Sequence, residues 1–222
     1  MHETKTLAAA EMLAVARRYR DAGISVLPIA AESKQPVGKW KHLETELIDD
    51  DELQRRYTTP HGSKFPDRVA VIGGKISGGL EMIDFDAAGI EWDSWSEMIP
   101  QELQEKLLIK RTAGGGYHFA YRCDEAGPNQ GLCYRLLFDS NRQKQQWKAT
   151  IETRGEGGYC VVAPSSRYSL IQGDWCQLPA ITQEERNALL EAAKSLDQKP
   201  KETASSAGTA FEPTVDRPFI QC

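Results

Sequence analysis

The sequence predicts an α+β fold, on three observations. Helical periodicity is confined to residues 5–22, 49–57, 90–107 and 182–196. Between these segments lie short apolar runs, each closed by glycine or proline, the pattern of strands and their turns. Apolar residues fill 40% of the 222 positions, enough for a true core within one substantial domain.

In chain order, residues 5–22 put Leu7, Met12, Leu13, Ala16 and Tyr19 on one helical face, with Gly23 as the stop. Ile24–Ile29 is a short strand whose Pro28 suits an edge or a terminus. Lys34, Pro36, Lys39 and Trp40 follow in a loop: either a basic-aromatic grip for phosphate or base, or a solvated turn around one ring. Residues 49–57 form a helix capped by Asp49 or Asp50. Arg68–Ile72 and Leu80–Asp86 are strands joined through Lys75–Gly79, as a hairpin or as neighbours. Residues 90–107 are helical with a break at Pro100, and Leu107 and Leu108 continue the apolar face. Gly114–Gly116 lead into the strand Tyr117–Tyr121. Residues 123–149 are expected to be an exposed insertion or linker, with a short strand or helix over Cys133–Phe138. Strands follow at Ala149–Gly155 and Tyr159–Pro164, then a hairpin around Gly173-Asp174, then the helix 182–196. Residues 198–222, rich in proline and small polar residues, have the composition of a disordered tail or linker. That would suit the front part of a longer polypeptide.

Composition excludes several classes. A net charge of −5 does not suit a protein that coats DNA over its whole surface, although a local basic cleft remains open. Residues 104–156 are such a region, with nine Lys/Arg against six Asp/Glu. Five cysteines without a Cys-x-x-Cys pair argue against a disulfide framework and against structural zinc, and favour a reducing, cytoplasmic setting. No secretory leader and no 18-residue apolar span are evident, so no membrane partner is expected. Gly-Lys-Ser/Thr and Gly-x-Gly-x-x-Gly are both missing, which removes P-loop and dinucleotide-binding readings.

The chemistry centres on Gly78–Asp86. Strand alternation turns Asp84 and Asp86 to one side and Ile83 and Phe85 to the other. Adjacent carboxylates repel unless a cation sits between them, and oxygen donors suit magnesium or manganese. His118 follows a flexible glycine loop and shares a face with Ala120. Glu152 and Arg154 share a face near the end of another strand. Brought side by side, these ends would converge three carboxylates, a histidine and an arginine, the equipment of phosphoryl or nucleotidyl transfer. A metal-dependent nuclease or other phosphoryl transferase shares the carboxylates, and a non-catalytic nucleic-acid-binding replication module is the third reading.

Three motifs together resemble the archaeo-eukaryotic primase superfamily, specifically the bifunctional DNA primase/polymerase N-terminal (prim-pol) domain of plasmid and phage replication proteins. They are the strand ending Asp84-x-Asp86, the turn Gly114-Gly115-Gly116-Tyr117-His118, and Glu152-Thr153-Arg154-Gly155 running on to Gly157-Gly158-Tyr159 and Ala163-Pro164. The opening helix, Lys34-x-Pro36 and Trp40 also fit, so the resemblance spans about residues 8–180. Glu152 departs from the aspartate expected in most relatives. The resemblance implies one catalytic domain over residues 1–197, a small α/β unit packed on a modified RNA-recognition-like (RRM-like) sheet with a cleft between. It implies DNA polymerase or primase activity in plasmid or phage replication, in a bacterial or archaeal cell. Asp84, Asp86 and Glu152 would be the catalytic, metal-binding carboxylates, holding two Mg2+ or Mn2+ ions. His118, Gly114, Gly115, Gly116, Arg154 and Lys34 would hold the nucleoside triphosphate. Lys110, Arg111, Arg167 and Trp40 are the expected contacts to single-stranded or primed DNA template, and a helicase domain or protein is a further implied partner.

Overall fold

The computed structural model describes residues 2–200 other than Glu32, His61, Ser63 and Lys64, with side chains from Ala9 onward. The expected tail lies largely outside the described residues. Fourteen principal elements follow one another: α1 (His2–Asp21), β1 (Val26–Ile29), α2 (Asp50–Thr58), β2 (Arg68–Ile72), β3 (Leu80–Phe85), α3 (Trp92–Ser96), α4 (Gln101–Lys106), β4 (Leu108–Arg111), β5 (Tyr117–Arg122), β6 (Gln130–Asp139), β7 (Lys144–Arg154), β8 (Tyr159–Val162), β9 (Ser169–Gln172) and α5 (Gln183–Ser195). They form a mixed α and β fold with two antiparallel sheets, β1-β2-β8 and β6-β7-β3-β5-β4-β9.

The large sheet is apolar on both faces, for different partners. Ile83, Phe85, Phe119, Tyr121 and Ile151 pack with Trp95, Leu103, Leu189 and Leu190 from the helices α3, α4 and α5. Leu80, Met82, Leu108 and Ala120 join a second core with the small sheet and with α1 and α2. The small sheet is therefore sandwiched, which is why Val26, Leu27, Val71 and Ile72 are all buried regardless of strand alternation.

Side-chain caps and a proline mark several element ends. Asp49 caps α2, accepting from the Glu52 N–H at 2.7 Å. Thr182 and Glu185 close a reciprocal capping box on α5. Pro100 separates α3 from α4. A buried bidentate pair then pins α5 to the large sheet: Arg186 donates to both oxygens of Glu81 at 2.6 and 2.8 Å. The Tyr121 hydroxyl and the Gly127 N–H also donate to Glu81.

Four expectations need correction. β2 and β3 are not a hairpin; they lie in different sheets, linked only by the bridge Gly74↔Leu80, and the glycine-rich turn carries the chain between layers. Leu108 does not extend a helix but opens β4, since Leu107 already has extended backbone. Residues 123–149 are no linker: of the strand and helix left open over Cys133–Phe138 the strand forms, as part of β6, and with β7 it makes a long hairpin whose polar outer half hid the rest from periodicity. β9 does not fold back around Gly173; it pairs with β4, and Trp175–Gln177 form a helical turn.

Candidate active site

Register puts the charged residues in a row. Asp84 on β3 stands directly opposite His118 on β5 and directly opposite Glu152 on β7. His118 in turn faces Lys110 on β4. Directly opposed residues share a face of the sheet, so Glu152, Asp84, His118 and Lys110 cross four strands in line. Two residues back along the strands, the same face carries the apolar Met82, Ala120 and Leu108 under the small sheet. The polar row lies where that cover gives way to an open cleft of about 300 Å3, bordered by Lys34, Asp84, Asp86, Gly114, His118 and Arg154. Asn129, Thr112, Tyr159, Cys160 and Tyr168 also line it.

Asp84, Asp86 and Glu152 bring oxygens within 4.8 Å of one another. Arg154 pairs with Glu152 and lies 3.9 Å from Asp84. His118 Nε2 is 2.9 Å from Asp84 Oδ1, and the buried His118 Nδ1 and Asp84 Oδ1 have no further hydrogen-bond partner. Orphaned buried polar atoms call for a ligand. The carboxylate trio of Asp84, Asp86 and Glu152 is an all-oxygen donor set that could hold a hard divalent cation.

The electrostatics agree. Burial, then Asp84, raises the Asp86 pKa above the usual carboxylate range. Glu152 is also raised, chiefly by burial, with Arg154 opposing and the two aspartates adding to the rise. Burial would raise Asp84 as well, but His118, Arg154 and Lys110 overcome it and hold its pKa down. His118 is brought down to about 4 by burial and by Lys110, against the pull of Asp84, so it is neutral near pH 7.

Other expected residues fall in different places. Lys110, assigned to a nucleic-acid surface, is fully buried: Nζ donates to the Val161 carbonyl and lies 5.0 Å from the Tyr168 ring centre. The correction follows from β4, which turns Lys110 inward beside His118 and Arg111 to the opposite face against Tyr117. Arg167 is exposed and donates to the Ala113 carbonyl at 2.9 Å, beside the glycine turn. Trp40 sits behind the cleft wall, edge-on to Tyr159 at 5.2 Å. Of the three loop glycines only Gly114 borders the cleft. The Gly115 N–H is used on the Thr112 carbonyl, and a side chain at Gly116 would strike the Phe85 carbonyl. Cys160 and Asn129 are cleft residues that alternation and turn composition did not single out.

The chain is thus an α+β protein whose antiparallel sheet carries a carboxylate trio beside a histidine and an arginine, under a partial second layer. A family model, bifunctional DNA primase/polymerase N-terminal (Prim-Pol), matches residues 16–186, and the chain belongs to that family. No curated protein matches the chain. No helix among the described residues is long and apolar enough to cross a membrane.

Proposed function

We propose that this chain performs template-directed nucleotidyl transfer, as a DNA polymerase, a primase or both, within replication of a plasmid or phage. The observation that carries the reading is the single row Glu152–Asp84–His118, with Asp86 and Arg154 beside it, at the mouth of a cleft. Family membership supports nucleotidyltransferase activity. The antiparallel large sheet, with helices packed on one face and the small sheet on the other, supports the reading of a small α/β unit on a modified RRM-like catalytic sheet.

Divalent cations, bound by Asp84, Asp86 and Glu152, would supply activation of the attacking 3′-hydroxyl and neutralisation of the leaving pyrophosphate. The protein's own groups do the positioning. His118, Arg154 and Lys34 converge on the cleft from three sides and would hold the triphosphate through charge-assisted or neutral hydrogen bonds. A neutral His118 donates one N–H without adding charge next to the cation site. Arg154, paired with Glu152, keeps that carboxylate turned toward Asp84. Thr112 and Gly114 line the cleft and exposed Arg167 lies beside that turn, a side along which template DNA would run.

The test is incorporation of labelled nucleotides by the purified chain on single-stranded template, with manganese or magnesium, with and without primer. Extension with pyrophosphate release is expected, and product in the primer-free lane would add priming. No incorporation with either metal on primed template would overturn the reading.

A further inference from the structure

Cys160 has no part in nucleotidyl transfer as described, yet it borders the cleft and is almost fully buried on β8. Its sulfur lies in a second cluster with Asp84 and His118, ligand atoms all within 4.8 Å of one another. This cluster shares Asp84 with the carboxylate trio but uses different chemistry. Sulfur, imidazole nitrogen and one carboxylate oxygen form a donor set that suits zinc and similar borderline-soft ions and is poor for magnesium. Asp84 and His118, both residues of this cluster and both more than nine-tenths buried, each carry a buried polar atom without a further hydrogen-bond partner, Asp84 Oδ1 and His118 Nδ1.

We propose that Asp84, His118 and Cys160 form a zinc-selective site whose occupation excludes a cation from the carboxylate trio. Zinc holds sulfur at about 2.3 Å and nitrogen at about 2.0 Å, so its ligand atoms stand roughly 3.3–3.8 Å apart. The cluster must draw in by about an ångström at its widest, and the 2.9 Å contact between His118 and Asp84 must open. Both are side-chain rotations at a cleft wall. The thiol proton is released to solvent as the sulfur binds. Three protein ligands leave a fourth position for water or a phosphate oxygen. Zinc bound through Asp84 places two positive charges beside the trio and repels a second cation there, and His118 in the zinc shell is lost to the triphosphate. Zinc is therefore an inhibitor competitive with manganese; this consequence rests on the proposed activity, whereas the binding itself does not.

The test titrates cobalt, as a coloured stand-in for zinc, into the metal-free full chain. Wild type is expected to show a near-ultraviolet thiolate-to-cobalt charge-transfer band that zinc then bleaches. Calorimetric zinc titration should give at least tenfold weaker binding in C160S, with manganese binding unchanged there. D86N should keep the zinc site while weakening manganese. Loss of the thiolate band in wild type, or zinc affinity equal in C160S and wild type, would overturn the proposal. The band needs no variant, so a poorly folded C160S leaves the test intact. A chain with the band but without incorporation activity would refute the proposed function and leave the zinc site standing.

Discussion

Lys110 offers the most demanding check on the description of the site. It is an ammonium with no exposed surface, and among the described residues no carboxylate forms an ion pair with it. Burial, reinforced by Lys34, brings its pKa from 10.5 down to about 8, against the opposing influence of Cys160 and Asp84. Keeping the charge at pH 7 therefore costs the fold about 3 kcal/mol. Lys110→Met keeps an unbranched apolar stem, removes the charge, and forfeits one hydrogen bond to Val161, a loss of about 1 kcal/mol. The net expectation is a variant about 2 kcal/mol more stable at pH 7. The pH dependence separates this from improved packing. The folded-state pKa is depressed, so between about pH 8 and pH 10 the unfolded chain binds more protons and wild-type stability gains from this group as pH rises. K110M lacks that gain. Its advantage should be full below pH 8 and shrink toward pH 10, and taking the difference between the two proteins cancels the other titrating groups. Urea unfolding of both proteins at pH 7 and pH 10 measures it. Nucleotide affinity should fall in the same variant, since a positive charge beside His118 has gone, an exchange of function for stability. A K110M protein less stable at pH 7, by an amount independent of pH, would refute the reasoning.

Three further outcomes are expected. Asp86→Ala should abolish incorporation while the Tm stays within about 4 °C of wild type, because removing one of three mutually repelling carboxylates changes stability by under ~1 kcal/mol; primer extension and a thermal melt check both halves. His118→Ala should weaken nucleoside triphosphate binding by about 1.5–3 kcal/mol with manganese affinity nearly unchanged, as read by calorimetry; the reverse pattern would move His118 into the manganese shell. Arg186→Met should destabilise by about 3 kcal/mol in denaturant, since it leaves Glu81 buried with only the Tyr121 and Gly127 donors, while a well-folded sample at low temperature keeps its incorporation activity.

Much of the fold was legible wherever one residue type decides a local outcome. Asp49 and Thr182 announce helix starts because their side chains satisfy free N–H groups, and Pro100 breaks a helix because it lacks one. The misreadings share a different cause. Residues 130–148 form strands although Arg135, Gln145 and Gln146 carry no apolar alternation, because pairing along β6–β7 satisfies the backbone there without a buried face. Leu108 looked helical because an apolar run carries no period of its own; its pairing with Ala120, invisible in the local sequence, made it a strand. The link between β2 and β3 looked like a hairpin because glycine turns are alike whether the chain folds back or crosses to another layer.

The site divides along the same line. Alternation alone turned Asp84 and His118 away from Phe85 and Phe119, and the aromatic residues do fill the helical side of the sheet. Which polar residues meet is a matter of register, which alternation leaves open. One register could have been extracted. A tight turn centred on Gly114 pairs residues equidistant from it, which matches Lys110 with His118 and Arg111 with Tyr117. Opposed residues share a face. Once His118 is turned to the cleft, Lys110 must follow it inward and Arg111 must leave, the reverse of two basic residues lying together on a DNA surface. The charge that looked available to a phosphate backbone is instead placed behind His118, where it adds to burial in bringing the histidine pKa down to about 4. At neutral pH the row then reads, from β7 to β4, anion, anion, neutral donor, cation, a field that draws a divalent cation to one end and a triphosphate toward the other.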